Sequence, residues 1–329
     1  MNVLITGITG MVGSHLAEYI LREHPGVAVH GMVRWRSPMD HLRGVQHLVQ
    51  LHLGDLRDLN SLVHVLERVK PDRIFHLAAQ SYVTTSFTAP ADTLMTNVVG
   101  TNNLLDAVRL TRVDPLIHIC SSSEVYGQVT ADEVPIRETN PLRPASPYAV
   151  SKVGEDMVAL QYFLSYGIKV IRTRMFTHTG PRRGDVFAES AFAKQIALIE
   201  AGLLDNPIRV GNLDSVRTFS DVRDAVRAYW LLLDKCSPGE VYNIGGHQVM
   251  TVGEMLEVLK KLATCPIEHR VDPDLLRPSD VTLQIPDVSK FAAATGWKAE
   301  ISVEQTMRDL LNYQRDLLAR NSIRPAALS

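Results

Sequence analysis

The chain is short of everything that would mark a metal centre, a membrane anchor or a nucleic-acid surface. Among 329 residues there are three cysteines, Cys120, Cys236 and Cys265. They are scattered and odd in number, and they form no Cys-x-x-Cys or Cys/His spacing, so neither zinc nor a disulfide framework is expected. Three reduced thiols in a cytoplasmic protein are the expectation instead. No apolar run reaches the roughly 18–20 residues that a membrane span requires. The opening Met1-Asn2-Val3-Leu4-Ile5 runs straight into a strand pattern with no basic stretch before it, so no signal peptide is read. With 34 basic and 36 acidic residues there is no global positive field to attract nucleic acid. Repeats of 20–50 residues and low-complexity tracts are also missing from the pattern.

What is present is alternation. Through the first two-thirds, strands are predicted at 2–6, 28–33, 50–53, 73–77, 116–120 and 169–175. Several are almost continuously apolar, as parallel strands covered on both faces are. Helical patterns fall between them at 12–23, 59–69, 93–110 and 147–166. This predicts an α/β fold with a doubly wound parallel (Rossmann) sheet, whose ligands lie beyond the carboxyl ends of the strands. From about residue 180 the pattern loosens, and helices at 189–201, 222–233, 252–262 and 303–318 are separated by Gly- and Pro-bearing loops. The expected division is a dinucleotide-binding domain over 1–180, with a return of the chain to it around 213–248 left open. A smaller mixed, partly helical substrate-binding lobe is expected over 181–329.

The first strand ends in Thr6-Gly7-Ile8-Thr9-Gly10-Met11-Val12-Gly13, a Gly-x-x-Gly-x-x-Gly turn that opens a helix. A dinucleotide needs its pyrophosphate against backbone N–H groups at a helix N-terminus, and glycines allow that approach. Gly7, Thr9, Gly10, Met11, Val12 and Gly13 are therefore candidate cofactor residues. After the second strand an NAD enzyme would carry an acid for the ribose 2′-hydroxyl. This chain carries Arg34, Arg36 and Ser37, which suit a 2′-phosphate, so NADP is expected. Asp55 and Leu56 are placed at the adenine. Leu77, Ala78, Ala79 and Ser81 are small enough to let the cofactor lie across the strand ends.

Tyr148 and Lys152 are four apart at the start of a predicted helix, hence one turn apart on one face. A free phenol titrates near pH 10, and a neighbouring ammonium lowers that value and favours the phenolate needed as a base. After the fifth strand come Ser122, Ser123 and Glu124. Ser122 can hydrogen-bond a substrate hydroxyl beside Tyr148. A simple ketoreductase needs Ser, Tyr and Lys alone; a carboxylate beside them offers a base for a carbon-bound proton next to a carbonyl.

With these residues in place the chain resembles the extended short-chain dehydrogenase/reductases along nearly its whole length. Within that group it resembles the GDP-mannose 4,6-dehydratases and the related GDP-4-keto-6-deoxymannose reductases. The stretches that carry the likeness include HLAAQSYVTTSF, SSSEVYG, SPYAVSK, GPRRGDVF and LRPSDV. The resemblance implies a GDP-sugar substrate and an NADP-dependent dehydratase, or in the alternative a reductase or epimerase. It implies a homodimer or homotetramer. It places His178 at the cofactor and Lys194, Arg217 and Arg277 at the diphosphate. Asp280 falls at the nucleoside ribose, and Val210, Gly211 and Asn212 at the base or ribose. Thr177 stands where dehydratases carry an Asn that contacts substrate. Arg182 and Arg183 remain open between substrate ligands and subunit-interface residues.

Overall fold

The computed structural model describes residues 1–276 and 281–323. The chain begins with β1 (Asn2–Thr6), α1 (Met11–Glu23), β2 (Ala28–Val33), β3 (Gln50–Leu53), α2 (Leu59–Val69) and β4 (Arg73–His76). Next come α3 (Val83–Thr88), α4 (Pro90–Leu94) and, after a π-helical turn at Met95–Val99, α5 (Gly100–Thr111). β5 (Leu116–Ser122), α6 (Pro147–Tyr166) and β6 (Val170–Met175) follow. The last third holds β7 (His178–Thr179), α7 (Ala188–Glu200), β8 (Ile208–Val210), β9 (Val216–Thr218), β10 (Ser220–Asp221), α8 (Val222–Lys235) and β11 (Val241–Ile244). It ends with β12 (Val249–Thr251), α9 (Val252–Leu262), β13 (His269–Val271), β14 (Leu283–Gln284), α10 (Ser289–Thr295) and α11 (Val303–Ile323).

The main sheet has seven strands in the order β3-β2-β1-β4-β5-β6-β11, and every neighbouring pair is parallel. Side chains alternate between its faces. Val3 and Ile5 join a core with Leu16 and Ile20 of α1 and Tyr229 and Trp230 of α8. Leu4 joins the opposite core with Leu66 of α2, Leu105 of α5 and Ala159 of α6. The strand order reverses between β1 and β4, which opens a crevice at their carboxyl ends. A third core, with Phe192 and Ile196 of α7, Leu256 and Leu259 of α9 and Leu310 and Leu311 of α11, builds the smaller lobe. Three minor sheets, β10-β7, β12-β9-β14 and β13-β8, connect its helices.

Several sequence expectations are adjusted here. The fifth strand runs two residues further than the predicted 116–120, so it delivers Ser121 and Ser122 themselves. The single helix predicted at 93–110 is two helices joined by the π turn. β11 lies outside the predicted strands; it returns the chain to the edge of the main sheet beside β6. Among the described residues no helix is long and apolar enough to cross a membrane.

Candidate active site

One cleft of about 1180 Å³ lies over the carboxyl ends of the main sheet and under the smaller lobe. Its floor starts at the glycine turn. Gly7 has φ +72°, and a Cβ there would sit 2.8 Å from the backbone nitrogen of Ala78. A Cβ on Gly13 would meet the Gly7 carbonyl oxygen at 2.3 Å and the Ile8 Cα at 2.6 Å. Both glycines are thus required by close backbone approach. α1 has Gly10 as its N-cap, no side-chain cap bond and no acid in its first turn. Its first N–H groups are therefore left for an anion. Arg34 and Ser37 line the same cleft. The donor set fits a dinucleotide carrying an extra phosphate: a glycine turn at a helix N-terminus, with a guanidinium at the next strand end.

Of the cofactor candidates, Gly7, Thr9, Gly10, Met11, Val12, Gly13, Asp55, Leu56, Leu77, Ala78, Ala79, Ser81 and His178 all line the cleft. Arg36 does not; its guanidinium lies 5.7 Å from the centre of the Trp35 ring, and that ring is exposed. Burial and the nearby Arg183 push His178 down to about 4. It is neutral at physiological pH.

The helix that carries Tyr148 and Lys152 is set by its cap. Ser146 Oγ accepts from the Ala149 N–H at 3.0 Å, and Pro147 occupies the first helical position. Tyr148 and Lys152 then follow on one face, both buried and both lining the cleft. Lys152 Nζ donates to the Cys120 carbonyl at 2.8 Å and to Glu155 Oε2 at 2.7 Å. Burial raises Tyr148 above the ordinary phenol value, and the Lys152 ammonium and a Ser122 hydrogen bond pull it back only in part. The net direction is therefore opposite to the lowering expected from Lys152 alone. Ser122, at the end of β5, caps a 3-10 turn (Ser123–Tyr126) by accepting from the Glu124 N–H at 3.2 Å. That turn brings Ser123 and the half-buried Glu124 to the cleft with Tyr148.

Behind the site, Asp156 is fully buried between two arginines of β6. Arg172 Nη1 donates to it at 2.6 Å and Arg174 Nε at 2.8 Å. Arg174 also donates to the Tyr126 hydroxyl at 3.1 Å, which in turn donates to Asn243 Oδ1 at 2.7 Å. Asn97, in the π turn, donates to Ser151 Oγ at 2.8 Å and accepts from the Gln80 N–H at 2.8 Å. The first group ties β6, β11 and the 3-10 turn after β5 to Asp156 of α6, and the second ties the loop after β4 to Ser151 of the same helix.

Candidates in the smaller lobe divide. Thr177, Gly211, Asn212 and Arg217 line the cleft. Val210 is fully buried in the third core, and Lys194 pairs with Asp185 at the surface, so neither faces it. Arg277 and Asp280 lie outside the described residues. The two adjacent arginines both line the cleft and differ in their partners. Arg182, at φ +70°, donates to Ser14 Oγ at 3.1 Å and to Glu18 of α1 at 2.5 Å. Arg183 faces the cleft, lies 3.4 Å from the centre of the Phe187 ring and pairs with Glu189 at 3.3 Å. Sequence reasoning missed Gln195 and Arg209, which also line the cleft. It missed Glu155 too, although its three-residue offset from Lys152 places both on one helical face.

A family model for GDP-mannose 4,6 dehydratase matches residues 4–310. The chain is similar to a GDP-mannose 4,6-dehydratase of Yersinia enterocolitica, 35% identical over 94% of this chain and 92% of that protein. It is nearly as similar to a GDP-6-deoxy-D-mannose reductase of Pseudomonas aeruginosa, 34% identical over 94% of this chain and 96% of that one. Among solved structures it superposes on RMD from Pseudomonas aeruginosa complexed with NADPH. That match has a TM-score of 0.85 and 33% identity, over 96% of this chain and 99% of that one. A glycine-turn cleft with Ser122, Tyr148 and Lys152 on its wall, matched along its length in this way, makes this chain a member of the GDP-mannose 4,6-dehydratase family.

Proposed function

We propose that the protein is an NADP-dependent GDP-mannose 4,6-dehydratase, a lyase that converts GDP-mannose into the 4-keto-6-deoxy sugar nucleotide. The observation that carries this reading is Glu124. It shares the cleft with Ser122, Tyr148 and Lys152, and C4 redox chemistry alone has no task for it. In the proposed division of labour, residues 1–180, with the return around 213–248, hold the dinucleotide. The rest of 181–329 holds the sugar nucleotide. Arg34 takes the 2′-phosphate, the α1 N-terminus the pyrophosphate and Lys152 the nicotinamide ribose.

When bound, NADP supplies the redox chemistry, taking a hydride from sugar C4 and returning one at C6. Tyr148 removes the C4 hydroxyl proton, with Ser122 orienting the phenol. The ketone at C4 acidifies the C5 hydrogen, and Glu124 removes it. Glu124, assisted by Ser123, then gives that proton to the departing C6 hydroxyl, which leaves as water. Hydride return at C6 leaves an enolate that takes one proton at C5, balanced by the proton Tyr148 removed from the C4 hydroxyl. Arg217 and Arg183 are the cations facing the cleft that we assign to the diphosphate and sugar. The three cysteines are unpaired, in keeping with a cytoplasmic enzyme. The exposed apolar side chains Val150, Met157 and Leu164 on α6 suit association with a second copy.

The test is purified, NADP-loaded protein with GDP-mannose and no added reductant. Formation of the 4-keto-6-deoxy product supports the reading, and its absence from folded, loaded protein overturns it. The second reading is reduction of the 4-keto sugar. It is favoured by Thr177 in place of the dehydratase Asn and by the likeness to the Pseudomonas aeruginosa reductase. Consumption of free NADPH by the 4-keto sugar distinguishes it. A Glu124→Gln change abolishes dehydration while sparing simple C4 reduction.

A further inference from the structure

One buried charged group near the site has no part in the steps above. Glu155 is 1% exposed and Lys152 is 4% exposed. The carboxylate lies one helical turn along α6 from the lysine, on the side away from Tyr148, and its Oε2 is 2.7 Å from Nζ. A buried ammonium without a counter-charge is driven toward its neutral form. The groups packed around this pair leave Glu155 as the compensating charge. From β5, Cys120 offers its carbonyl as the second acceptor at 2.8 Å. Burial pushes the Cys120 thiol up, so it stays protonated. His118 of β5 and His76 of β4 are pushed by burial down to about 3 and are neutral. From α8, Tyr229 shares its hydroxyl with the Cys120 thiol at 3.3 Å and is raised well above the usual phenol value by burial. On α6 itself, Tyr148 is raised and Asp156 is committed to Arg172 and Arg174.

We propose that Glu155 is a positioning residue of the cofactor site, which fixes the Lys152 ammonium between itself and the Cys120 carbonyl and keeps it charged. An ammonium has three N–H groups. Two are held by these acceptors, so the third is aimed from a set point into the cleft that Lys152 lines. Burial alone would draw Lys152 down, and the Glu155 carboxylate raises it again; burial in turn pushes the Glu155 carboxyl up to about 7, with the Lys152 ammonium pulling it back only in part. Removing the carboxylate therefore lowers the lysine. The proposal rests on the cofactor half of the reading above, in which this ammonium holds the nicotinamide ribose.

The experiment is NADPH binding followed by fluorescence from about pH 8 to about pH 10, above the Glu155 carboxyl and up to the ordinary lysine value. Wild type, Glu155→Gln and Glu155→Asp are compared, with thermal melting on each. Wild-type affinity is expected to stay within about twofold across this range. In the Gln variant it is expected to weaken about tenfold within this range, because burial without the carboxylate draws the lysine below its ordinary value. The Asp variant restores part of the range. A merely structural ion pair lowers the melting temperature but leaves the shape of the pH profile unmoved, and that result overturns the proposal. Should the Gln protein fail to fold, the Asp variant decides alone. A profile displaced toward lower pH supports the proposal, and a wild-type profile overturns it. No sugar is present, so a wild-type profile in the variants refutes the Glu155 assignment while leaving the dehydratase reading intact. A wild type that binds no NADPH refutes both.

Discussion

Replacing Gly13 with alanine tests whether the glycine turn is shaped by contact or merely by habit. The added Cβ would stand 2.3 Å from the Gly7 carbonyl oxygen, 2.6 Å from Ile8 Cα and 2.9 Å from the Gly7 carbonyl carbon. Ordinary contact begins near 3.4 Å, so the shortfall at the oxygen is about 1.1 Å. All three atoms are backbone, and no side chain can swing aside. The start of α1 must retreat from β1, and its N–H groups retreat from the pyrophosphate with it. Overpacking of this kind costs about 1–3 kcal/mol. If that cost falls on the ligand-bound geometry, NADPH Kd rises about 5- to 150-fold, at about 1.4 kcal/mol per tenfold. If the free protein bears it as well, the same energy appears as lost stability. Fluorescence titration and urea unfolding together read both. Gly44→Ala is the control: nothing lies within 4 Å of its Cβ, so neither measurement should worsen. A Gly13→Ala protein with Kd within about twofold of wild type and unchanged stability would refute the reasoning.

Three further outcomes follow from the geometry. Arg34→Ala removes one charge-assisted contact, about 1.5–3 kcal/mol, so NADP binding should weaken about 10- to 150-fold while NAD binding holds, as paired titrations would read. Ser122→Ala removes a hydrogen bond that lowers Tyr148. The phenol rises further and the acid-side limb of the kcat profile moves to higher pH. Every pH unit by which that limb moves costs about tenfold in rate at neutral pH, recoverable on raising the pH. Asp156→Asn leaves Arg172 and Arg174 buried without their shared counter-charge and should destabilise the protein by about 3–5 kcal/mol, measured as a lower urea midpoint.

Much of this architecture is legible in the sequence, and the reasons are local. β1 to β6 are readable because several are nearly continuous apolar runs and all alternate with helical patterns. The glycine turn is readable because close backbone approach admits no other residue at Gly7 and Gly13. Tyr148 and Lys152 are readable because a helix fixes what a four-residue offset means. β11 is harder, since four residues with one Asn carry almost no periodicity. The break at Met95–Val99 is invisible for a different reason: a π turn changes the hydrogen-bond partner, not the residue types. Position in the cleft is a tertiary fact, and there the reading fails at particular residues. Lys194 is turned outward by Asp185, Val210 is taken into the core behind β8, and Arg36 lies along Trp35. Glu155 passes unread because an acid three residues after a lysine ordinarily marks a solvated helix face.

Arg182 holds a left-handed backbone that non-glycine residues rarely adopt, and its guanidinium is moored to Ser14 and Glu18 of α1. Arg182 and the next residue along, Arg183, both line the cleft. The segment after β7 is thereby moored to α1, so a substitution that shifts the start of α1 reaches Arg183 across a single peptide bond.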